Sequence, residues 1–159
     1  MEPTLLIYVC LAFGLSAALV GGVFQSFSDF VMRGLNQAGP EAGAAGMIGL
    51  NRTVYRSVFL VMLLALAPLG IAFAVYGFFF VGGIARALLI AASAIYVTSV
   101  FMVTVAGNVP RNEKLDRLEG EGAADYWPTY FREWTPLNHA RTFGSIGTAV
   151  SYLLAAVHI

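Results

Sequence analysis

Polar and apolar positions fall into long separate blocks along this chain. Residues 3–28, 57–85, 87–110 and 142–159 contain no Asp, Glu, Lys or Arg, in runs of 26, 29, 24 and 18 residues. A helix needs about 20 predominantly apolar residues to cross a hydrocarbon core. The pattern predicts an all-α polytopic membrane protein, an antiparallel four-transmembrane-helix bundle. A single transmembrane domain is expected over residues 1–159, with helices at about 4–27, 54–79, 86–108 and 136–158. Both termini then share one side, and the long connections at about 29–53 and 109–135 share the other. Within the first connection, Pro40-Glu41 opens a short helix leading towards Asn51, because proline is tolerated in a first turn.

Composition supports this reading and removes alternatives. Only 11% of residues are charged and 58% are hydrophobic, whereas a soluble domain carries about 25% charged residues. Nine basic side chains balance nine acidic ones, so no nucleic-acid partner is expected. Cys10 is the single cysteine, which excludes a disulfide scaffold and a dithiol redox enzyme. The N-terminal run has Glu2 in place of a basic region and no A-x-A pattern, so it is expected to persist as the first helix.

Charge asymmetry gives an orientation. Arg33, Arg52, Arg56, Arg111, Lys114, Arg117, Arg132 and Arg141 lie on the side of the long connections, against Arg86 alone on the other. Under the positive-inside rule the connections are cytoplasmic and both termini outside, as expected for a bacterial inner (cell) membrane protein. Small residues at helix-packing spacing, namely Gly14, Ala18 and Gly22, Gly144 and Thr148, and Gly147, Ser151 and Ala155, predict close helix contacts. The same faces would serve a homo-oligomer.

Candidate chemistry gathers at the cytoplasmic helix ends. Gln25, Ser26, Ser28 and Asp29 close the first helix, Asn51 and Arg52 precede the second, and Thr104, Asn108 and Asn112 close the third. Asn138, Arg141, Thr142 and Ser145 follow the i, i+3, i+4, i+7 pattern that aligns side chains on one helix face. Polar groups at membrane depth are costly unless paired or lining a wet cavity, so their convergence predicts a site. Asp29 could pair with Arg52, Arg56 or Arg141, or serve in proton transfer if desolvated. His139 is the best-placed general base. It and His158 fall at opposite ends of the bundle, so no multi-histidine metal or haem site is expected. Tyr126, Trp127, Tyr130, Phe131 and Trp134 read either as an interfacial belt or as an aromatic wall over a pocket.

Several segments resemble the anthrone-oxygenase-like family of small four-helix membrane proteins. They are Gly21-Gly22-Val23-Phe24 with Ser26-Phe27-Ser28-Asp29-Phe30-Val31-Met32, then Asn51-Arg52-Thr53-Val54-Tyr55. Asn108-Val109-Pro110-x-Asn112-Glu113-x-Leu115 and Trp134-Thr135-x-x-Asn138-His139-x-Arg141-Thr142 continue the resemblance. Arg33 departs from it, standing where many relatives have proline. The resemblance implies dioxygen-dependent oxidation of an apolar phenol or anthrone without a cofactor, the activity of fungal members on polyketide anthrones.

Two functional readings follow. In the first, His139 or Asp29 takes a proton, and Arg141, Asn138 and Asn108 stabilise the resulting oxyanion. Tyr130 and Trp134 then stack on the substrate rings, and Asn51 and Asn112 complete the binding site. Its partners are the lipid bilayer and an apolar aromatic small molecule. In the second, the same polar residues form a structural network in a non-catalytic lipid- or small-molecule-binding protein, or in the membrane subunit of a larger complex.

Overall fold

A computed structural model describes residues 2–118 and 120–159. Five helices and no strand occur among them. They are α1 (Pro3–Gln37), α2 (Pro40–Val54), α3 (Val58–Phe80), α4 (Gly83–Leu118) and α5 (Gly120–Val157). Among the described residues, α1, α3 and α4 are by length and composition the helices apolar enough to cross a membrane.

The all-helical fold matches the charge-free blocks, but the count is five rather than four. Of the stretch 109–135, expected as a connection, residues 109–118 and 120–135 are helical. Val109–Leu118 prolongs α4, and α5 starts at Gly120 instead of near residue 136. Pro128 and Pro136 both lie inside α5 without ending it. Each removes one backbone donor, and tertiary packing overrides the local break. Trp127, Tyr130 and Trp134 stack on one another at 5.6 and 6.1 Å between ring centres, and all three are buried.

The first connection folds as a helix because Gly39, at a φ of 93°, makes the turn and Pro40 opens α2. Ser57 starts α3, its hydroxyl accepting a hydrogen bond from the Leu60 amide at 3.1 Å.

An extended packing seam runs between α1 and α5. Leu6, Cys10, Gly14, Ala17, Gly21 and Phe24 form the buried stripe of α1, close to a seven-residue repeat. A Cβ at Gly14 would lie 3.0 Å from Leu153, and one at Gly21 would lie 3.1 Å from Ser145 Cβ. The expected Gly14/Ala18/Gly22 face is therefore displaced: Ala18 is exposed and Gly22 meets open space. Gly144 brings α5 onto α4, where an added Cβ would sit 2.7 Å from Ser99 Cβ.

Away from these seams the helices present apolar side chains outward, among them Leu15, Val61, Phe78, Ile90 and Val150. A separate core closes one end of the bundle. There Met32 of α1, Met47 of α2, Leu115 of α4 and the Trp127/Tyr130/Trp134 ladder of α5 pack together. Ion pairs brace this end, Arg52 Nε to Asp116 at 2.8 Å and Arg111 Nε to Glu133 at 3.1 Å. Three π-helical turns, Phe27–Val31, Tyr96–Phe101 and Thr104–Asn108, interrupt α1 and α4 towards the same end. Such turns reset the helix register and often accompany functional sites.

Candidate functional site

The aligned polar residues of α5 face inward. Asn138, Arg141, Thr142 and Ser145 are all buried. Asn138 uses its whole amide: Nδ2 donates to the Phe24 carbonyl and to Ser28 Oγ, both at 2.8 Å, and Oδ1 accepts from Arg141 Nη2 at 2.8 Å. Ser28 lies in the π turn of α1 and also meets Thr142 Oγ1 at 3.1 Å and His139 Nδ1 at 2.8 Å. A serine on α1 and an asparagine on α5 thus fix the Nη2 side of the guanidinium.

The rest of Arg141 faces a cavity of about 460 Å³ between α1, the α2–α3 junction, α4 and α5. This is within the range of pockets that enclose small organic ligands. Phe24, Phe27, Met47, Phe59, Leu60 and Leu63 make its apolar wall, and Asn51, Thr104, Asn112, Trp134 and Arg141 bring polar groups. Among the described residues no Asp, Glu, Lys or His occurs in the lining. Tyr55, exposed at the α2–α3 junction, stands at the edge.

Arg141 is 5% exposed, with Cζ 4.2 Å from the Phe24 ring centre and 5.1 Å from that of Trp134. The weakly hydrated, planar guanidinium suits such aromatic faces. Its Nε has no hydrogen-bond partner, and among the described residues no carboxylate pairs with it.

Two asparagines complete the polar floor. Asn112 Oδ1 accepts from Tyr130 Oη at 2.8 Å and from Trp134 Nε1 at 2.9 Å. With the oxygen doubly engaged, Nδ2 is the uncommitted end. Asn51 Nδ2 is buried near the Tyr130 hydroxyl without a well-formed hydrogen bond. Arg141 Nε, Asn51 Nδ2 and Asn112 Nδ2 are all donors, so the apolar cavity is equipped to receive an acceptor oxygen. Burial pushes the Tyr130 phenol well above its ordinary value, against smaller opposing effects of Asn51 and Arg141, so it stays protonated and donates to Asn112.

The structure divides the residues singled out in the sequence. Asn51, Asn112, Trp134 and Arg141 line the cavity. Tyr130 and Asn138 stand directly behind lining residues, and Asn108, fully buried, donates from Nδ2 to the Trp134 carbonyl at 3.3 Å. His139 is half-buried and reaches the site only through Ser28 and Asn138. Asp29 is not brought to the cavity: it is exposed and pairs with Arg33 at 3.1 Å, one turn along α1, rather than with Arg52, Arg56 or Arg141. Gln25 shares its outward face. Sequence reasoning missed the apolar lining, which carries no local signal, and the part played by Ser28. No group of three or more His, Cys, Asp or Glu side chains forms among the described residues.

The sequence model of a family described as Anthrone oxygenase matches residues 52–151. The match contains Asn108, Asn112, Tyr130, Trp134, Asn138, His139 and Arg141. No curated protein and no solved structure matches the chain.

Proposed function

The chain belongs to the anthrone oxygenase family, and we propose that it is an integral membrane oxygenase acting on an apolar phenolic or anthrone-like substrate. The observation that carries this reading is the cavity itself. An aromatic and aliphatic wall suits fused rings, and the donors Arg141, Asn51 and Asn112 suit a ring oxygen. In the proposed reaction an activated ring methylene becomes a carbonyl. Two C–H bonds break, one oxygen atom of dioxygen enters the product and the other leaves in water. Loss of the first proton places negative charge on the substrate's existing oxygen. Donors already in place there stabilise that charge without reorganising. Among the described residues the lining offers no carboxylate or imidazole, so the proton passes to water and ionisation is promoted by stabilising the anion, with His139 supporting Asn138 through Ser28.

In this reading the C-terminal half of α5 is a fourth crossing in an antiparallel bundle. It is supported by the exposed apolar side chains of Ile146, Val150, Leu154 and Val157. Both termini are outside, in a bacterial inner membrane, and the cavity opens at the cytoplasmic edge, where the basic residues concentrate. A substrate dissolved in lipid would reach it there.

That no described residue of the lining is a carboxylic acid or an imidazole favours a second reading, a binding protein for the same class of molecule. Oxygen uptake by the purified chain in lipid nanodiscs with anthrone separates the two. Anthraquinone formed with one dioxygen consumed per molecule supports the oxygenase. Saturable anthrone binding without oxygen uptake rejects it in favour of the binder.

A further inference from the structure

Arg141 poses a problem of charge that the protein leaves open. A guanidinium 5% exposed has lost most of its hydration, and a buried charge is normally met by a carboxylate. Here the position that could supply one is taken by Asn138, whose Oδ1 contacts Nη2 at 2.8 Å. An aspartate has the same shape and would neutralise the arginine. The asparagine holds it without neutralising it, and its Nδ2 is committed to the Phe24 carbonyl and Ser28. Two ring faces offer only quadrupoles, and Nε remains unpartnered on a residue that lines the cavity. Asn51, whose buried Nδ2 makes no well-formed hydrogen bond, lines the same space.

We propose that the cavity is an anion site: it takes its apolar aromatic ligand as a phenolate, enolate or carboxylate, and that ligand supplies the negative charge missing around Arg141. This rests on the cavity identified above as the binding site but not on turnover. It also specifies the substrate class, since a polycyclic aromatic without an ionisable oxygen would leave the guanidinium desolvated and uncompensated.

The test uses the full chain in detergent with two tricyclic probes of similar size, 9-anthracenecarboxylate and 9-anthracenemethanol. Binding of the carboxylate at least tenfold tighter than the alcohol is expected, with the preference lost in Asn138→Asp, which supplies an internal counter-charge. Equal or tighter binding of the alcohol, or a preference that survives in folded Asn138→Asp, overturns the proposal. A second measurement needs no variant. A hydroxyanthraquinone, whose neutral and ionised forms differ in colour, should ionise at a pH at least one unit lower in the protein than in empty micelles. An unchanged or higher ionisation pH overturns the proposal. Charge preference without anthrone oxidation supports the anion site and removes the oxygenase reading. Oxidation without charge preference does the reverse.

Discussion

Asn112 holds two buried donors with one oxygen, which makes its replacement a quantitative test of the site's architecture. In Asn112→Leu, Tyr130 Oη and Trp134 Nε1 both lose their acceptor, at 2.8 and 2.9 Å respectively. Tyr130 is fully buried and Trp134 is 3% exposed, so water cannot replace it freely. Each orphaned donor costs about 1–3 kcal/mol, and the two together about 2–6 kcal/mol. Tyr130→Phe alone removes a donor but leaves Oδ1 satisfied by Trp134, at about 1 kcal/mol. In that background Asn112→Leu orphans only the indole, so its cost falls to about 1–3 kcal/mol. The double-mutant cycle should therefore show coupling of about 1–3 kcal/mol. Denaturant titration in micelles reads it through tryptophan fluorescence, because both tryptophans, Trp127 and Trp134, lie in this end core. The shared-acceptor reasoning fails if Asn112→Leu costs the same in both backgrounds, or less than about 1 kcal/mol in the parent.

Other outcomes follow from the same geometry. Arg141→Met should lower anthrone turnover by about 10²–10³-fold, the scale for removing an oxyanion donor, and Arg141→Lys should not restore it because an ammonium cannot reproduce the planar fork; retained turnover in a folded variant rejects the role. Gly144→Ala should destabilise by about 1–3 kcal/mol, because its Cβ would sit 2.7 Å from Ser99 Cβ. Gly22→Ala, with open space around it, should be neutral or stabilising when thermal melts of the two variants are compared. Since burial raises the Tyr130 pKa, its contribution to stability is complete below the unfolded value of about 10 and is lost as pH rises above it. Tyr130→Phe should flatten the alkaline fall in stability, and the tyrosinate absorbance of the parent should show one more late-titrating phenol than the variant. Asp29→Asn should change stability by less than about 1 kcal/mol, since its pair with Arg33 is exposed; a larger loss would place Asp29 in a role the geometry does not give it.

The sequence by itself determined the helical architecture and the alignment of the α5 polar residues. Both depend on local rules: a charge-free run of sufficient length forms a helix in lipid, and i, i+3, i+4 spacing fixes which side chains share a face. Asn138 and Arg141 could thus be placed together, and Asn51, Asn112 and Trp134 assigned to the same end of the bundle, before any fold was known. Tertiary structure alone decided which faces meet. Ser28 and Asp29 are neighbours, yet the rotation from one residue to the next around the helix turns one towards Asn138 and leaves the other exposed beside Arg33. That rotation is set by the seam at Gly14 and Gly21, together with the π turn at Phe27–Val31. The continuity of α5 through Pro128 and Pro136 was likewise decided by stacking of Trp127, Tyr130 and Trp134, contacts that no local propensity contains. The cavity needs Phe24, Met47, Leu63 and Val109 from four helices at once, and none of them differs in sequence from an ordinary packing residue. The charge left open on Arg141 belongs to the same class, since it depends on what surrounds the side chain in space rather than on its place in the chain.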